Sequence, residues 1–129
     1  MVVDASVVTA VLVDSGPQGV WARDQLASGE AVFAPHHMPA EVTSALRRLV
    51  KSGLLPAHDA EVARRELLSL DAELYPFEPL ADRVWQLRDN LTTYDAWYVA
   101  LAEAHDVPLA TLDRRLAEAP GPECEFRTP

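Results

Sequence analysis

Short apolar runs alternate along this chain with longer stretches in which apolar residues recur every three or four positions. The first rhythm marks buried strands and the second amphipathic helices, and their alternation predicts βαβ units around a parallel sheet. Val2-Val3 reads as a first strand ending at Asp4, followed by a helix through Ser6–Val13. Ser15-Gly16-Pro17 breaks that pattern, and a second helix is expected near Gln18–Ala27, with Trp21 and Leu26 as apolar positions. Ala31–Ala34 is a second strand closed by Pro35. Pro39 suits the first turn of the next helix, where Val42, Ala45, Leu46, Leu49 and Val50 form one buried stripe and Gly53 caps the end.

Pro56 opens another helix, with Val62, Leu67, Leu68 and Leu70 among its apolar positions. Leu74-Tyr75-Pro76-Phe77 reads as a short strand that its proline confines to a sheet edge. A helix from Pro79 carries Leu80, Val84, Leu87 and Leu91, and Thr93 is the expected N-cap of a helix over Tyr94–His105. Val107–Leu112 is a strand ending at Asp113, Arg114–Ala119 a short helix, and Cys124–Phe126 a last edge strand. No repeat, low-complexity tract or long linker divides the chain, so a single domain over residues 1–129 is expected, long enough to bury a sizeable core.

Composition changes this picture little: 49% apolar and 24% charged residues are ordinary globular values. No apolar run is long enough to span a bilayer. The N-terminus lacks a basic segment and carries an acid at position 4, which argues against a signal peptide. Cys124, the single cysteine, allows no internal disulfide and no zinc-type spacing, and a cytoplasmic protein is expected.

Charge matters more. A net charge of −9 speaks against a broad basic nucleic-acid surface, though not against nucleic acid as a substrate. The cations are ten Arg and Lys51 alone, and the doublets Arg47-Arg48 and Arg114-Arg115 suit either phosphate or a solvated helix face.

Four acids carry the chemistry. Asp4 and Asp113 each follow a strand and precede a helix, while Glu41 and Asp95 lie in helical first turns. Capping or the helix dipole explains each singly, at about 0.3–1 kcal/mol. Neither predicts a shared location. In a parallel sheet the C-terminal strand ends and the following helix N-termini share one rim, where open α/β sheets bind ligands. Carboxylates gathered there need a cation to stay ionised, and oxygen donors suit a hard divalent ion that can position phosphate and activate water. Ser6 and Thr111 lie two residues from Asp4 and Asp113, where their hydroxyls can orient a carboxylate. His36-His37 has no third ligand nearby in sequence and is expected at a loop or rim; His58 and His105 are expected at the surface or a helix end. Trp21, Trp85 and Trp97 are expected in core or interface packing.

Met1–Ser6, Pro39-Ala40-Glu41-Val42, Thr93–Ala102 and Ala110–Leu116, in that order, resemble the motifs of a PIN domain, in the style of the VapC toxins of toxin–antitoxin pairs. The resemblance covers essentially the whole chain. It implies a three-layer α/β/α sandwich with a central parallel sheet. It also implies an endoribonuclease using metal-activated water, with Asp4, Glu41, Asp95 and Asp113 at a Mg²⁺ or Mn²⁺ site and Ser6 and Thr111 as supporting hydroxyls. A homodimer and a VapB-like antitoxin whose tail blocks the acidic site follow from the same likeness. A receiver domain would need a lysine at a strand end, but Lys51 lies in a helix. A haloacid-dehalogenase-like phosphatase would want an Asp where Ser6 stands. A scaffold that keeps the fold without turnover is the alternative from another class.

Overall fold

The computed structural model describes residues 1–129. Five parallel strands form one sheet in the order β3-β2-β1-β4-β5: β1 is Val2–Val3, β2 Phe33–Pro35, β3 Glu73–Tyr75, β4 Leu109–Ala110 and β5 Phe126–Arg127. The helices are α1 (Ala5–Val13), α2 (Pro17–Leu26), α3 (Met38–Lys51), α4 (Ala57–Leu67), α5 (Ala81–Gln86), α6 (Thr93–His105) and α7 (Arg114–Glu118), with a 3₁₀ turn at Glu78–Leu80. The chain moves from β1 to β2 on one side and returns to β4 on the other, so the order reverses beside β1. That reversal opens a crevice at the C-terminal strand ends, between Asp4 and Asp113.

The central strands and the middle of α6 are buried, which explains their apolar sequence. Val2, Val3, Leu109 and Ala110 are fully buried, and Ala96 and Tyr98–Ala102 of α6 are almost as dry. Helix α3 is the amphipathic contrast: Val42 and Leu46 are buried while Arg47 and Arg48 face outward. Gly53, at φ +74°, ends α3 in the left-handed conformation that favours glycine.

Several boundaries differ from the sequence expectation. Pro35 lies inside β2 rather than beyond it, paired with Tyr75. It is tolerated because β1 pairs with β2 only at Val2–Phe33, so the missing N–H falls where β1 has already turned into α1. β3 is an edge strand as expected, but Pro76 and Phe77 lie outside it. Val107–Leu112 contracts to a two-residue strand, and the last strand falls at Phe126–Arg127. Thr92, not Thr93, caps α6: it is extended at ψ 158°, and its hydroxyl accepts from the Asp95 N–H at 3.2 Å. Of the two expectations for Trp85, core packing is excluded, since it is 67% exposed with the Arg88 guanidinium over its ring, and an interface position is left.

The C-terminal segment is held by a contact between distant residues. Arg83 donates from Nε to Glu103 Oε2 at 2.6 Å, and from Nη2 to Glu103 Oε1 and the Gly121 carbonyl, both at 3.0 Å. Glu103 also accepts from the Glu123 N–H. Arg83→Ala leaves a mostly buried carboxylate without its cation, with only the Glu123 N–H still on it, and is expected to cost about 2 kcal/mol, read as a lower urea midpoint. An unchanged midpoint would make the pair a surface ornament.

Candidate metal centre

Asp4 emerges from β1 as the N-cap of α1, and its Oδ1 accepts the Val7 N–H at 3.0 Å. Ser6 Oγ donates to the same oxygen at 2.5 Å, and Thr111 Oγ1 donates to Oδ2. The Ser6 hydroxyl accepts from the Leu112 N–H, and the Thr111 hydroxyl from the Asp113 N–H at 2.9 Å. Thr111 therefore ties the two acid-bearing loops together, and both hydroxyls serve Asp4 rather than the Asp113 carboxylate. The Asp4 side chain is buried with no cationic side chain paired to it. Burial pushes its carboxyl above the ordinary value, and the bonds from Ser6, Thr111 and Val7 oppose that without cancelling it.

Glu41 occupies the first turn of α3, where the helix dipole favours an anion. Tyr98 reaches across from α6 and donates to Oε2 at 2.7 Å. His37 Nε2 stands 3.2 Å from the same oxygen but out of line, so neither ring nitrogen has an aligned hydrogen bond and the contact attracts only through charge when the ring is protonated. Burial would raise the Glu41 carboxyl, but His37, Tyr98 and the Arg48 charge together hold it below the ordinary range. Burial together with the charges of Glu41 and Asp4 keeps the Tyr98 hydroxyl protonated as a donor.

Asp95 stands in the first turn of α6, half-buried, directly after Tyr94. Burial raises its carboxyl, the Thr92 contact opposes this, and the charges of Asp113 and Glu41 raise it further. Asp113 is exposed and caps α7, its Oδ1 accepting from Arg115 and Leu116. The four acids thus share one rim and feel one another, through Thr111, through Tyr98 and through direct repulsion.

They are not drawn together into a finished coordination shell: no three His, Cys, Asp or Glu side chains are arranged to hold an ion. The donor set still fits a hard divalent cation. It offers only oxygens, one of them buried without a compensating charge and the others in mutual repulsion.

For Tyr98 and His37 the sequence offers only helical spacing as a site signal: Tyr98 lies three residues after Asp95, and His37 four before Glu41. The His36-His37 expectation of a loop or rim resolves into two places, with His36 exposed and His37 packed against Tyr94, Trp97 and Tyr98 at 4.5–5.0 Å between ring centres.

The PIN domain profile matches residues 1–122. Ribonuclease VapC1 of Mycobacterium tuberculosis is 46% identical over 127 residues, covering 98% of this chain and 95% of that protein. Among solved structures, Mycobacterium tuberculosis VapC20, described as a sarcin-ricin loop cleaving toxin, superposes with a TM-score of 0.69 at 18% identity over 89% of this chain and 91% of its own. VapBC2 of Rickettsia felis, solved with a fragment of its promoter DNA, gives a TM-score of 0.68 at 12% identity over 98% and 96%. Those two likenesses concern the fold; the identity to VapC1 over nearly both whole chains concerns the lineage. The chain belongs to the PIN domain family and is VapC-like.

Proposed function

We propose that this chain is a metal-dependent endoribonuclease, the toxin of a paired toxin–antitoxin system. The observation that supports the reading is the placement of Asp4, Glu41, Asp95 and Asp113 at strand ends and helix starts around the order reversal beside β1, in a chain whose ribonuclease relative matches it end to end. These four residues would hold a divalent cation, Mg²⁺ or Mn²⁺. Such an ion supplies an activated water and neutralises phosphate charge.

The rest of the work falls to the chain. Ser6, Thr111 and the Val7 N–H fix the Asp4 carboxylate. Tyr98 and His37 steer Glu41. The Thr92 cap sets the first turn of α6 and so aims Asp95 at the crevice. Because every acid sits at a strand end or a helix start, the site exists only while the sheet does.

The reading includes two partners beside RNA. An antitoxin segment suits the apolar groove of about 520 Å³ that runs from Ser6 and Glu41 to Leu49, Leu54 and Leu55. Leu54 is 75% exposed there, a side chain that a partner would cover. A net charge of −9 suits a basic partner tail. A homodimer would cover the exposed Trp85.

Induced expression of the intact chain is expected to arrest growth and to leave new RNA ends in total RNA, while an Asp95→Asn chain made at equal level does neither. Normal growth and intact RNA with the soluble parent protein would favour the non-catalytic scaffold.

A further inference from the structure

Beside Glu41 lies a second, smaller cavity of about 320 Å³, bounded by His37, Ala40, Glu41, Ser44, Arg48 and Tyr94. Two of its walls keep their polar ends free. Arg48 takes part in none of the chain's ion pairs, although its charge reaches Glu41. Tyr94 is 57% exposed, an unusual position for a large aromatic ring, and its hydroxyl makes no hydrogen bond.

The ring is nevertheless firmly seated. It rests on the His37 imidazole at 4.9 Å between centres, and His37 rests in turn on Trp97, which meets Phe77 at 5.1 Å. A supported aromatic face open to solvent, a free guanidinium and a phosphate-handling acid cluster next door make up the recognition set of a single-stranded nucleotide. Stacking on an aromatic ring is tolerant of base identity, and a guanidinium takes the phosphate.

Resting on the ribonuclease reading, we infer that this cavity is the subsite for a nucleotide flanking the scissile bond, its base stacked on Tyr94 and its phosphate held by Arg48. The site answers how a chain of net charge −9 grips RNA: one local cation and one aromatic platform replace a broad basic surface.

The test is binding and cleavage of a short labelled single-stranded oligoribonucleotide of mixed sequence, with binding read by fluorescence anisotropy in an Asp95→Asn background. Tyr94→Ala is expected to weaken binding about tenfold, and Tyr94→Phe to restore it. In the active chain the same loss appears in KM more than in kcat. Arg48→Gln is expected to lower the slope of log Kd against log salt by about 0.7, one phosphate contact on a single strand. Thermal melting at the parent Tm confirms that each exposed substitution leaves the fold in place. If the parent cuts RNA but Tyr94→Ala and Arg48→Gln bind as it does, the subsite is overturned and the nuclease reading stands. A chain that neither binds nor cuts RNA overturns both.

Discussion

Asp4→Asn and Asp95→Asn are each expected to reduce RNA cleavage by at least ~10³-fold, on the order of 4 kcal/mol of transition-state stabilisation. The folded chain should survive both changes. At Asp4 the amide oxygen can still accept from Ser6 and the Val7 N–H, and the amide nitrogen can donate to the Thr111 hydroxyl in place of accepting from it, while the buried charge disappears. In the metal-free protein the substitution is therefore expected to stabilise at neutral pH.

The sign follows from the direction of the shift. The folded Asp4 carboxyl is raised above the ordinary value of 3.8, so the folded state holds a proton that the unfolded state has already released. Stability from Asp4 is fully present at more acid pH and is lost as pH rises from about 3.8 through the raised folded value. The Tm difference between Asp4→Asn and the parent, measured in chelator, should open up across that window and stay open above it. A variant less stable than the parent at every pH would mean that the charge is needed as a helix cap, and that the acid is structural.

How much of the fold and of the rim is legible in the sequence depends on the distance over which each feature is determined. The positions of Asp4 and Asp113 are legible because strand ends and helix starts leave local signals, and the parallel topology then puts such junctions on one rim. The strands themselves are only two or three residues long, since in a small sheet the neighbours set where pairing stops. Val107–Leu112 has the composition of a longer strand but pairs at two positions. Thr92 and Thr93 are chemically identical cap candidates, and only the backbone angles chose between them. The Tyr98–Glu41 bond spans 57 residues and the Arg83–Glu103 pair 20, so no local rule points to either. Trp85 had helical spacing and an apolar side chain, yet the short α5 turns it outward.

Withdrawing divalent cations with a chelator is expected to abolish cleavage, and Mg²⁺ or Mn²⁺ to restore it. Loss of activity alone would not place the ion, so the stronger readout is stability without substrate. Asp95 is raised by burial and by the charges of Asp113 and Glu41, and Asp4 by burial, so in chelator these carboxylates are held at an electrostatic cost. An ion bound among these carboxylates removes that repulsion in the folded state, and the unfolded chain has no comparable site. Its effect on stability is then RT ln(1 + [ion]/Kd), about 2.7 kcal/mol at a hundredfold excess over Kd. For a domain of this size that is several degrees in Tm. Asp4→Asn and Asp95→Asn should blunt the rise in Tm, and combining them should remove it. Arg83→Ala, which weakens the fold away from the rim, should keep the full increment from its lower starting Tm. Cleavage that persists in chelator, or an equal cation-dependent rise in the Asp4→Asn/Asp95→Asn double variant, would place the chemistry somewhere other than these four acids.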